Sequence, residues 1–158
     1  MACYIVRRAL LEDSDTLARF MTLQAMETEG KTLVPETIAL GVRGLFERPA
    51  CGTYYVAVDG SDQIVAMIMI HYEMSLRGLV HWINSVYVDP AHRKQGIFTL
   101  LYRHVLDEAR DATCLRLYVD LTNTSAQQVY RKLGMTNIEE GYDFYESDFH
   151  FPSYHGSP

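Results

Sequence analysis

Two stretches of the 158-residue chain hold residue types that could do chemistry together. In the first, Val86-Tyr87-Val88-Asp89-Pro90 runs into Ala91-His92-Arg93-Lys94-Gln95-Gly96 and then Ile97-Phe98-Thr99. Strand-forming residues end at a proline, a short basic loop follows, and a glycine opens an apolar pattern of helical period. The first amides of a helix have no partner within it and carry partial positive charge. Together with loop amides they can cradle a diphosphate. Arg93 and Lys94 add charge and side-chain donors, and Gly96 lets a ligand approach the backbone closely. A solvated strand-to-helix turn has the same composition, so the loop read alone leaves both open. It is neither a Walker A loop, which needs Gly-Lys-Ser/Thr, nor a G-x-G-x-x-G fingerprint.

In the second stretch, Leu117-Tyr118-Val119-Asp120-Leu121-Thr122-Asn123-Thr124-Ser125-Ala126-Gln127-Gln128-Val129-Tyr130 places a carboxamide at a helix start and a phenol about two turns further on. Read alone, Asn123 also fits an ordinary helix cap and Tyr130 a core aromatic. A third group lies on two strand-like runs. If their hairpin centres near Leu76 and Arg77, Glu73 faces Val80 and His71 faces Trp82. Strand alternation then puts His71, Glu73, Trp82 and Asn84 on one face, with His81 on the other.

The elements that must position these residues are legible in outline. Cys3–Arg8 reads as a strand. Asp13 or Ser14 caps a helix that presents Leu17, Phe20, Met21 and Gln24 on one face and stops at Gly30. Pro35 opens a second helix with Ile38, Val42 and Leu45 on one side. Thr53–Val58, a turn at Asp59-Gly60, and Gln63–Met74 form a hairpin. Leu79–Val88 is the next strand, followed by a helix over Gly96–Arg110 and a strand over Cys114–Val119. The helix from Asn123 or Thr124 stops at Gly134, and Tyr142–Phe149 is a last strand. The order β-α-α-β-β-β-α-β-α-β predicts an antiparallel meander, then a parallel pair made by the crossover from Val88 to Cys114. The expected class is α/β with a mixed sheet, helices on both faces, and one domain spanning 1–158.

With both motifs in this order, the sequence resembles the GNAT N-acetyltransferase superfamily. The family's acetyl-CoA loop reads Gln/Arg-x-x-Gly-x-Gly/Ala. Here Arg93-Lys94-Gln95-Gly96-Ile97-Phe98 matches at Arg93 and Gly96 and departs at Phe98. Asn123 through Tyr130 to Leu133-Gly134-Met135 is similar to the family's segment from an Asn to a Tyr and then Leu-Gly-Phe. The resemblance implies acetyl-CoA as cosubstrate, an amine as acceptor, and direct transfer without an acyl-enzyme. It implies acetyl-CoA contacts from Val86, Tyr87, Val88, Arg93, Lys94, Gln95, Gly96, Ile97, Phe98, Thr99, Asn123 and Tyr130. Tyr130 would serve as general acid near the thioester sulfur. The family's fourth strand breaks its pairing at a bulge and splays from the fifth, and many relatives carry a Glu base there. In this chain the matching position is Asn84, which leaves His71 and Glu73 as candidate bases. A non-catalytic acyl-CoA-binding module is the alternative that Asn84 favours. A homodimer is also within the family's habits.

The net charge of −6 argues against a dedicated nucleic-acid binder, whose phosphate contacts need a basic face. The three cysteines, Cys3, Cys51 and Cys114, suggest neither a disulfide framework nor a metal site. Reduced, buried thiols and the lack of a leader or spanning segment make a cytoplasmic protein, away from membranes, the expectation.

Overall fold

The computed structural model of the chain describes residues 3–76, 78–137 and 144–150. Its strands are β1 (Ile5–Arg8), β2 (Gly52–Val58), β3 (Ile64–Ser75), β4 (Gly78–Val88), β5 (Cys114–Asp120), β6 (Thr136–Asn137) and β7 (Phe144–His150). Its helices are α1 (Ser14–Glu29), α2 (Pro35–Glu47), α3 (Ile97–Glu108) and α4 (Thr124–Lys132). Among the described residues the strands make one sheet in the order β1-β2-β3-β4-β5-β7-β6. The first four strands pair antiparallel, β4 and β5 are parallel, and β7 runs antiparallel to β5 and β6. The expected meander and parallel crossover are both present.

One difference from expectation concerns an end: the first strand begins at Ile5 rather than Cys3. Tyr142 and the turn residue Arg77 lie outside the described residues. β6 is additional, and its described residues, Thr136 and Asn137, are a strand through their pairing with β7.

Alternation along the central strands builds a core on each face. Met67 joins Leu17, Phe20, Val42, Tyr54, Val56 and Tyr87 under α1 and α2. Its neighbours Ile68 and Ile70 join Ile83, Leu115 and Leu117 under Ile97, Leu101 and Val105 of α3. A strand covered on both faces reads as a continuous apolar run, and Ile64 to Ile70 does so. Gly30 ends α1 in the left-handed conformation (φ 63°), where a Cβ would meet no atom within 4 Å. Its amide donates to Met26 and that of Lys31 to Ala25, so backbone dihedral rather than crowding calls for glycine there.

Asp13 precedes α1 without capping it by its side chain, and ties the turn before the helix to β1. Its carboxylate accepts from the Leu10 amide (2.7 Å) and from both terminal nitrogens of Arg7 (2.7 and 3.1 Å). Burial alone would raise its pKa. The hydrogen bonds from Arg7 and Leu10 outweigh burial and hold it below the ordinary 3.8.

Candidate active site

The site begins with one unpaired residue. On β3 and β4, Ile70 faces Ile83 and Met69 faces Ser85, so Asn84 is an extra residue in a bulge. The parallel pairing with β5 stops at the same place, covering only Val80–Ile83 against Cys114–Leu117. Beyond it the two strands diverge. Two cavities of about 500 and 690 Å³ flank the split. They share Gln24, Thr28, Val86, Asn123 and Tyr130, so they are two ends of one groove.

The first cavity is the basic end. Val86, Tyr87 and Val88 line it from the strand. Arg93, Lys94, Gly96, Ile97, Phe98 and Thr99 line it from the loop and first helical turn. Gly96 is the N-cap of α3 with φ 78°, and Lys94 is left-handed as well at φ 61°. No side chain caps this end, so the amides of 97–99 face the groove without a partner from a preceding turn. Gln95 is not among the residues lining this cavity. Its carboxamide oxygen accepts from the Tyr4 hydroxyl at 2.8 Å, which ties the loop to the segment before β1. A polar side chain in a short loop has two sides to choose from, and Tyr4 supplies a donor on the far one.

Arg93 is more tightly held than its composition suggested. Its Nε donates to the Val88 carbonyl oxygen at 2.9 Å and its Nη2 to Glu27 at 2.6 Å. Phe98 packs against the core, with its ring 5.5 Å from that of Tyr130 and 6.1 Å from that of Tyr102. The departure from the small residue of the motif is therefore taken up between two helices.

Tyr130 stands where the two cavities meet. Burial pushes its phenol up to about 12, and its hydroxyl has no hydrogen-bond partner among the described residues. Asn123 does cap α4, with its side-chain oxygen accepting from the Ala126 amide at 3.1 Å, and it lines both cavities. One residue thus serves both readings left open by the sequence. Gln127, which sequence reasoning missed, fixes the approach to α4: it is buried and donates to the carbonyls of Asp120 (3.2 Å) and Leu121 (2.9 Å). A glutamine among surface-type residues gives no such signal in the sequence.

The second cavity is lined by Asn84, Ser85, Tyr118, Asp120 and the end of α1 with Glu29 and Lys31. Two hydrogen bonds from Thr122, one side-chain and one backbone, keep Asp120 below the ordinary carboxylate range. The strand register is as the sequence predicted, with His71 opposite Trp82 and Glu73 opposite Val80. His71 stacks on Trp82 at 6.0 Å, Trp82 stacks on Tyr118 at 4.8 Å, and the Trp82 indole donates to Glu73 at 2.6 Å. Neither His71 nor Glu73 lines the two cavities; Trp82 and Tyr118 stand between them and the groove. Burial lowers the His71 pKa, against the attraction of Glu73. His81 lies on the other face, against Tyr72 and Asp111. On the far side of β5, Phe144, Tyr145 and Glu146 of β7 pair with Asp120, Val119 and Tyr118.

A sheet split beside an uncapped helix start, with a phenol at the junction, defines an acyltransferase-like groove. The chain belongs to the acetyltransferase (GNAT) family, whose sequence model matches residues 15–135. A streptothricin acetyltransferase of Streptomyces lavendulae is 30% identical over 82 residues, which is 51% of this chain and 42% of that protein. A possible acetyltransferase of Clostridium difficile 630 is 32% identical with a TM-score of 0.81, over 96% of this chain and 99% of that one. An acetyltransferase of the GNAT family from Streptococcus pneumoniae shares the fold at 18% identity and a TM-score of 0.74, over 94% of this chain and 100% of that one. Acetyl-CoA is the family's cosubstrate. Among the described residues no cluster of three His, Cys, Asp or Glu could hold a metal, and no helix is long and apolar enough to cross a membrane.

Proposed function

We propose that this chain transfers the acetyl group of acetyl-CoA directly to an amine. The observation that carries the reading is the position of Tyr130 at the meeting point of the two cavities. The first cavity, with its helix-start amides and basic residues, suits the diphosphate and pantetheine. The second, entered past Asn84, suits the acceptor. Val86 borders both, and its backbone edge, free of β5, can pair with an extended arm as an added strand would.

In the reaction, the amine nitrogen attacks the thioester carbonyl, the C–N bond forms, the C–S bond breaks, and nitrogen sheds a proton. An amide and the free thiol result. A phenol near pKa 12 is protonated throughout the working range. Full proton transfer from so weak an acid to the leaving thiolate is uphill. Tyr130 therefore acts as a hydrogen-bond donor to the leaving sulfur, and the proton released by nitrogen balances the thiol. An alkyl amine of pKa ~10 must first lose a proton. Asn84 cannot take it but can orient a water. His71, whose pKa burial lowers, is the candidate final acceptor, reached from the groove only past the stacked rings of Trp82 and Tyr118. A backbone N–H near Val88 is the candidate oxyanion donor.

The same reading makes the protein one of a reducing, cytoplasmic compartment, in keeping with free thiols at Cys3, Cys51 and Cys114, of which Cys114 is buried as expected while Cys3 and Cys51 are exposed. The experiment is thiol release from acetyl-CoA with a panel of amines. Amine-dependent turnover supports the enzyme. Tight CoA binding without turnover on any amine class supports the non-catalytic alternative that Asn84 favours.

A further inference from the structure

We infer that Glu27, near the end of α1, is a positioning residue for the acetyl-CoA diphosphate: it fixes Arg93 so that the open end of the guanidinium fork meets phosphate. The inference rests on the acetyl-CoA reading above. A guanidinium has five N–H donors in one plane. In Arg93 the Nε edge is spent, with Nε on the Val88 carbonyl and Nη2 on Glu27 Oε2 at 2.6 Å. Nη1 and the second Nη2 proton remain on the outer edge, and Nη1 has no partner among the described residues. Two parallel donors on that edge match two phosphate oxygens.

The carboxylate is itself held. Its other oxygen accepts from the Tyr87 hydroxyl at 3.3 Å, and the Arg93 guanidinium lies 5.6 Å from the Tyr87 ring centre. Glu27, Tyr87 and Arg93 all line the basic cavity. So α1, β4 and the phosphate loop are joined at a single knot, across 66 positions of sequence between Glu27 and Arg93.

Two effects oppose each other here. Glu27 repels a nearby diphosphate, but its charge sits behind the guanidinium it neutralises, and both groups are about two-fifths exposed, so solvent screens the repulsion. Restraining a flexible arginine beforehand removes an ordering cost from binding. The second effect prevails, and this fixes the sign of the test.

Calorimetric titration with CoA and with S-acetylpantetheine, which lacks the nucleotide diphosphate, reads it out. Glu27→Ala should raise Kd and KM for the CoA thioester by about tenfold, with kcat changed by under about threefold. It should leave S-acetylpantetheine unaffected. Glu27→Gln, which can still accept from Arg93, should recover most of the loss. In an Arg93→Ala background, Glu27→Ala should add nothing further. Glu36→Gln, on the first turn of α2, removes the same charge elsewhere and should change neither ligand. Tighter CoA binding in Glu27→Ala, or an equal loss for S-acetylpantetheine, overturns the inference. No CoA binding by the unaltered protein overturns the acetyl-CoA reading itself, and this inference with it.

Discussion

The ring of Phe98, from the first turn of α3, meets the ring of Tyr130, from α4, edge to face at 5.5 Å. The helix start proposed to hold the diphosphate thereby touches the group proposed to face the leaving sulfur. Phe98→Ala should cost about 1–3 kcal/mol of stability, less than a fully buried Phe, and loosen Tyr130. We expect kcat to fall about tenfold and CoA affinity to move less than threefold, on order-of-magnitude grounds of one lost packing contact. CoA binding that becomes tenfold tighter would show instead that the ring obstructs the diphosphate.

Tyr130→Phe removes a donor and little volume. Steady-state kinetics should show kcat down by about 10²-fold or more, with Kd for CoA nearly unchanged. Because its phenol is pushed to about 12, Tyr130 should contribute no alkaline limb to the profile below pH 10, and retention of full kcat in the variant would remove it from the chemistry.

The pH profile tests His71. Its pKa lies below the ordinary 6.5 because burial disfavours the charged form. If it takes the amine's proton, kcat/KM should fall on the acid side with a midpoint below pH 6.5, and His71→Gln should abolish that limb. A limb that survives the substitution assigns it to another group.

Asp13 governs acid stability rather than catalysis. A carboxylate with a depressed folded pKa stabilises the fold above its unfolded pKa of about 3.8, and the gain is lost as pH falls through the lower folded value. Asp13→Asn should cost about 1–3 kcal/mol at pH 7, through lost charged hydrogen bonds to Arg7 and Leu10. The difference between the two proteins should shrink toward pH 2. Chemical denaturation at both pH values checks this, and a gap that stays constant would refute the linkage.

How far the sequence went depends on the distance over which each signal acts. The loop from Val88 to Phe98 and the run from Asn123 to Tyr130 were legible because strand end, helix start and glycine lie within a dozen residues. The pairing of His71 with Trp82 followed from counting outward from one hairpin. The resemblance implied a bulge in β4, but its place at Asn84 did not follow, because an extra residue shows only against a partner strand. Neither did the Glu27–Arg93 pair, the turn of Gln95 toward Tyr4, or the pairing of β6 with β7, all of which are made by tertiary contact. Phe98 looked like a flaw in the motif, and only its neighbour across the groove explains where the ring goes.

The central claim is that the groove beside Gly96 and Tyr130 holds acetyl-CoA. Isothermal titration of the folded protein with CoA tests it most directly. The account predicts saturable one-to-one binding with Kd between about 1 μM and 1 mM, the usual span for a cosubstrate. Absence of any heat of binding at millimolar CoA, in protein shown to be folded, would contradict it.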